Sequence, residues 1–221
     1  SILERPVEIL KHYWGYEGFR PGQEEVIRSV LSGADTLALM PTGGGKSITF
    51  QVPALARPGI CLVISPLVAL MKDQVSHLLR RGIRAAFISS EMPRSEILQQ
   101  LENCILGDYK FLYISPERIS SDLFQGKLTA LKQKVNLLVV DEAHCISQWG
   151  NDFRRDYRLI ADIRDVIPEV PVIAVTASAT AAVVADICEQ LHFRKGYQVF
   201  HSAFERPNLT FVVRKTDNKL A

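Results

Sequence analysis

Short, uninterrupted apolar runs recur along this 221-residue chain, each followed by a polar or glycine-containing turn and then an amphipathic stretch. The runs are Thr36 to Met40, Ile60 to Ile64, Ala85 to Ile88, Phe111 to Ile114, Leu137 to Val140 and Val172 to Val175. A strand with one face in water alternates apolar and polar residues, whereas a strand covered on both faces need not. These runs therefore predict parallel strands buried between two helical layers. Between them, Met71, Val75, Leu78 and Leu79 share one face of a helix over Leu67 to Leu79, with Gly82 as its stop. Pro93 to Leu106 begins on proline and ends at Gly107, and Tyr157 to Ile167 and Thr180 to Leu191 read the same way. The predicted class is α/β: an open, mostly parallel sheet with right-handed crossovers and helices on both faces. Such sheets bind ligands beyond the C-terminal ends of their strands.

Composition narrows the functional classes. At 47% hydrophobic and 23% charged residues, a disordered chain is excluded. No window approaches about 18 consecutive apolar residues, so no membrane span is expected. Ser1 to Pro6 lacks the basic-then-apolar layout of a signal peptide. Cys61, Cys104, Cys145 and Cys188 are widely spread with no Cys-x-x-Cys pair, which predicts reduced thiols in an intracellular protein. That compartment would be the cytoplasm in a bacterium or the nucleus in a eukaryote. His12, His77, His192 and His201 show no metal-ligand spacing. A net charge of +2 is too small to establish a polyanionic partner, so nucleic-acid binding must be argued from local features.

Two motifs sit where such a sheet would bind ligands. Met40-Pro41-Thr42-Gly43-Gly44-Gly45-Lys46-Ser47 follows the first buried run and precedes a helical stretch. Thr42, Gly43, Gly44 and Gly45 would turn backbone N–H groups around a phosphate, and the helix adds its positive end. Lys46 would reach the β- and γ-phosphates, and the Ser47 hydroxyl would hold Mg²⁺. Met40 stands where the strict form of this loop has glycine. The second motif, Asp141-Glu142-Ala143-His144, closes the run Val135 to Val140. Two carboxylates at the mouth of a buried strand are costly unless a metal or a reaction uses them. Asp141 is assigned to Mg²⁺, Glu142 to the attacking water as general base, and His144 to reporting nucleotide state.

These residues resemble the RecQ helicases of helicase superfamily two. Phe19-Arg20-Pro21-Gly22-Gln23 is similar to that family's adenine-recognition motif, and Thr42 to Ser47 to its triple-glycine phosphate loop. Ser65-Pro66-Leu67, Leu70 to Gln74 and Tyr113 to Arg118 resemble its DNA-contacting elements, and Phe204 to Leu209 the segment leading into a second lobe. Asp141 to Gly150, with the extension Cys-Ile-Ser-Gln-Trp-Gly, resembles the aromatic-rich loop that couples DNA to ATP hydrolysis. Asn151 replaces a frequent histidine there, Arg155 a common proline, and Val175 to Ala179 the usual Leu-Thr-Ala-Thr-Ala, with a hydroxyl kept at Ser178.

The resemblance implies a RecA-like P-loop NTPase lobe using ATP and Mg²⁺. It divides the chain into an N-terminal helical segment (1–34), lobe one (35–204) and the start of a connection (205–221) to an absent second lobe. The implied function is 3′-to-5′ DNA unwinding in recombination and repair, with the isolated lobe nearly inactive for want of the second lobe's arginine finger. Gln23 would read the adenine edge while Tyr16 and Arg20 stack on its ring. Trp149, Phe153, Arg154 and Tyr157 interleave aromatic and basic groups as single-strand binding requires, and Lys72 is a further DNA-contact candidate. Two rival readings are an RNA helicase of the Asp-Glu-Ala-His type and a nucleotide-gated nucleic-acid-binding module that unwinds nothing.

Overall fold

The computed structural model describes residues 4–41, 45–201 and 213–214. Its strands are β1 (Thr36–Leu39), β2 (Ile60–Ile64), β3 (Ala85–Ile88), β4 (Phe111–Ile114), β5 (Val135–Val140), β6 (Val172–Thr176), β7 (Gln198–His201) and β8 (Val213–Arg214). Its helices are α1 (Glu4–Trp14), α2 (Gln23–Leu31), α3 (Ile48–Leu55), α4 (Val68–Arg80), α5 (Arg94–Leu106), α6 (Asp122–Lys132), α7 (Leu159–Val166) and α8 (Ala181–Gln190). The strands form one sheet in the order β3-β4-β2-β5-β6-β1-β7-β8. Every pairing is parallel except the last, where β8 runs antiparallel to β7.

All six predicted runs are strands, and each is buried as a run without alternation requires; only Phe87 in β3 and Asn136 in β5 are half-buried. Side chains on successive strand residues still point to opposite faces. Leu37, Leu62 and Leu138 pack against α5, α6, α7 and α8 on one side. Ala38, Val63 and Val139 pack against α2, α3 and α4 on the other. A smaller cluster of Ile9, Leu10, Ile27, Ile48 and Val52 holds α1 over α2 and α3. The N-terminal helices are thus cemented onto the lobe at the face that carries the phosphate loop.

Helix termini follow local chemistry. Ser121 accepts from the Phe124 N–H and Thr180 from the Val183 N–H, which caps α6 and α8. Gly82, at φ 81°, supplies the left-handed residue that ends α4. Leu79 departs from expectation: it is 52% exposed, because Met71, Val75 and Leu78 already fill the face toward the sheet. The α6 helix, β7 and β8 are not apparent from the runs. Only Val199 of β7 is fully buried, so that strand carries little apolar signal.

One ionic cluster pins the end of the sheet away from the strands' C-termini. Asp35, just before β1, is fully buried and accepts from Arg164 Nη2 at 2.6 Å, the Val172 N–H at 2.9 Å and Arg194 Nη2 at 3.0 Å. Burial lowers the Arg164 pKa, and Asp35 opposes that shift. Among the described residues no helix is long and apolar enough to cross a membrane.

Candidate nucleotide site

At the C-terminal edge of the sheet, β1 and β5 flank β6 and carry the two predicted motifs. Lys46 Nζ donates to Asp141 Oδ1 at 3.1 Å and stands 3.6 Å from Glu142 Oε1. These partners lie 95 residues apart in the chain. The Asp141 carboxylate is 6% exposed, and the lysine and the Glu142 N–H (2.9 Å to Oδ1) offset its desolvation. Glu142 adopts φ 52°, ψ 46°, a strained geometry for a non-glycine residue that starts the short 3₁₀ turn Ala143–Ile146. That turn leaves the Glu142 carboxylate 28% exposed beside the buried Asp141.

Ser47 precedes α3, where its carbonyl accepts from the N–H groups of Phe50 and Gln51. Its half-buried hydroxyl and the Asp141 carboxylate suit Mg²⁺, which takes one or two protein oxygens and completes its shell with phosphate and water. Thr42, Gly43 and Gly44 lie outside the described residues. Gly45 has φ 79°, and a Cβ there would stand 2.5 Å from Gln23 Nε2. Met40 needs no glycine's freedom: it is buried and its N–H bonds the Thr176 carbonyl, so the chain is still sheet-like at that point.

Gln23 is buried at the start of α2. Its Nε2 donates to the Gly45 carbonyl at 2.9 Å, and its Oε1 accepts from the Arg20 N–H at 2.8 Å. A primary amide has two N–H groups and two lone pairs, so Gln23 keeps one of each for a base edge. Tyr16 (50% exposed) and the exposed Arg20 line the same cavity of about 260 Å³.

The aromatic-rich loop divides. Trp149 is 76% exposed, Phe153 is half-buried and Arg154 is exposed, a geometry open to stacking and charge contact. Tyr157 is a correction to the predicted interface: it is fully buried, and its hydroxyl donates to the Asp141 carbonyl at 2.8 Å. Burial raises its pKa far above the ordinary phenol value, so the hydroxyl stays a donor. The guanidinium over the Phe153 ring belongs to Arg158, at 5.2 Å, not to Arg154. No periodicity marks Arg158 in the sequence.

His144 Nδ1 meets the Thr176 hydroxyl at 2.7 Å, while Ser178 is exposed and offers only its carbonyl, 3.4 Å from Thr176 Oγ1. His144 Nε2 lies 3.6 Å from Asp152 in the aromatic-rich loop, so the histidine bridges that loop to the end of β6. Lys72 is exposed on α4. Tyr113, in an element expected to touch DNA, is instead buried and hydrogen-bonded to Gln51 and Gln74. Phe204 to Leu209 lie outside the described residues.

A lysine-bearing loop after β1, an acidic pair after β5 and a parallel sheet behind both define a P-loop nucleotide-binding lobe. The chain belongs to the DEAD/DEAH box helicase family, whose profile matches residues 20–187. It is 49% identical over 220 residues to the ATP-dependent DNA helicase RecQ of Bacillus subtilis, covering 99% of this chain and 37% of that protein. It is 41% identical over 217 residues to RecQ of Haemophilus influenzae, covering 97% of this chain and 35% of that protein. The helicase domain of Pyrococcus furiosus Hef superimposes with a TM-score of 0.65 at 23% identity, covering 86% of this chain and 40% of the other, a likeness of fold.

Proposed function

We propose that this chain is the ATP-binding lobe of a RecQ-type DNA helicase, which couples Mg-ATP hydrolysis to 3′-to-5′ unwinding in recombination and repair. The observation that carries the reading is the Lys46–Asp141–Glu142 constellation in a chain 49% identical to a RecQ helicase. Lys46 would exchange its carboxylate partners for the β- and γ-phosphates, freeing Asp141 and Ser47 to hold the metal. Mg²⁺, when bound, neutralises phosphate charge. Glu142 orients the attacking water and takes its proton. His144, bonded to Thr176 and close to Asp152, ties that chemistry to the loop bearing Trp149.

The chain spans only 37% and 35% of the two RecQ relatives, so the groups that complete the ATP site would come from outside these residues. A second RecA-like lobe with an arginine finger, worth about 10³–10⁵ in rate, is the expected source. Four buried free cysteines fit a reducing intracellular compartment.

The test is Mg-ATP hydrolysis with and without single-stranded DNA, in the 221-residue chain and in a chain extended by a second lobe, each beside Lys46→Ala. Near-zero turnover in the short chain and DNA-stimulated turnover in the long one, abolished by Lys46→Ala, is the expected result. An inactive long chain refutes the reading, and stronger stimulation by RNA moves it to an RNA helicase.

A further inference from the structure

The cavity bounded by Tyr16, Arg20 and Gln23 has another wall, which the assignments above leave unused. It comprises Gln74 and His77 of α4, with Gln51 of α3 at the floor. Gln51 is 5% exposed, a polar side chain held where an apolar one would pack. Tyr113 couples the turn of one amide to that of the other. Its hydroxyl donates to Gln74 Oε1 at 2.6 Å and accepts from Gln51 Nε2 at 3.0 Å. A phenol has a single proton, so the two amides turn together or not at all: one always presents it an oxygen and the other an N–H. Burial raises the Tyr113 pKa and keeps that proton in place.

The atoms left for the cavity are therefore of opposite kind: Gln51 Oε1 as acceptor and Gln74 Nε2 as donor. Among the described residues neither atom has a hydrogen-bond partner, and neither is a sealed, unsatisfied atom. The cavity, about 260 Å³, is near the small end of ligand pockets, roughly 300 Å³ and upward. Its size suits a nucleoside and not a whole triphosphate, whose phosphates have Lys46 and the start of α3.

We propose that Gln51 and Gln74 are specificity-determining contacts to the nucleoside part of ATP, with Tyr113 as their positioning residue. The inference rests on the ATP-lobe reading and extends it to α4. Nucleoside hydroxyls and base nitrogens both donate and accept, so one donor and one acceptor, kept opposite in kind by Tyr113, favour a ligand that presents the complementary pair.

The test titrates MgATP and magnesium tripolyphosphate, which lacks the nucleoside, into the wild type, Gln74→Ala, Tyr113→Phe and Lys46→Ala by calorimetry. Gln74→Ala is expected to weaken MgATP about tenfold, the loss of one hydrogen bond worth about 1.4 kcal/mol, and to leave tripolyphosphate unchanged. Tyr113→Phe should show the same split, which a general loss of stability would not produce. Unchanged MgATP affinity in Gln74→Ala overturns the proposal, as does equal weakening of both ligands. If the wild type binds neither ligand, or Lys46→Ala alters neither, the ATP-lobe reading falls and this inference with it.

Discussion

Tyr157 shows how one side chain can belong to a functional loop without facing its ligand. Its ring fills the core under the aromatic-rich loop while its hydroxyl holds the backbone of Asp141, the residue assigned to the metal. Tyr157→Phe would leave that carbonyl without its partner, at a cost of about 1–3 kcal/mol in stability, read by thermal melting. In the extended chain the same variant should lower the kcat of DNA-stimulated ATP hydrolysis several-fold, with KM for ATP within about twofold. The buried thiols make a second prediction at this scale. Burial pushes Cys104 and Cys188 up to about 12 and Cys145 to about 11, from an ordinary value of 9.0, and raises Cys61 as well. Below that ordinary value folded and unfolded thiols are both protonated, so they add no pH dependence. Above it the unfolded thiols ionise while the folded ones do not, so stability falls as pH rises from about 9 toward 12. Urea unfolding midpoints measured near pH 8 and near pH 10 should show the drop.

Elements were readable where burial is complete on both faces. Each of β1 to β6 overlaps one of the uninterrupted apolar runs, and α4, α5, α7 and α8 follow the expected patterns within a few residues. The ones that escaped lie where the signal is diluted. Gly126 interrupts the pattern of α6, although Ser121 and the spacing of Phe124, Leu128 and Leu131 mark that helix in retrospect. The β7 strand has a neighbour on each side but few buried side chains. The cap of α8 matters because this helix starts just beyond Thr176, the hydroxyl that meets His144. Thr180→Ala should cost about 1 kcal/mol, seen as a lower denaturant midpoint with an unchanged slope.

At the scale of the whole molecule, the sheet is tied at both ends by charge. Asp35 joins the starts of β1 and β6 and the approach to β7, and Arg164 beside it is 2% exposed. Asp35→Ala leaves a buried guanidinium without a counter-charge, so a loss of about 3–5 kcal/mol is expected in chemical denaturation. The fold class, the phosphate loop and the acid pair are legible in the chain alone, because chemistry that depends on neighbouring residues is written in neighbouring residues. A buried parallel strand must be a run, a phosphate loop needs contiguous backbone N–H groups, and a helix is capped from next door. What distant residues do together is settled by packing. Nothing local says that Tyr157 turns inward to Asp141, that Thr176 and not Ser178 meets His144, or that Tyr113 couples Gln51 to Gln74. Those contacts join residues 16, 32, 62 and 39 positions apart. Their direction is set by which face of the sheet each strand turns toward which helix, a property of packing that no short stretch of chain contains.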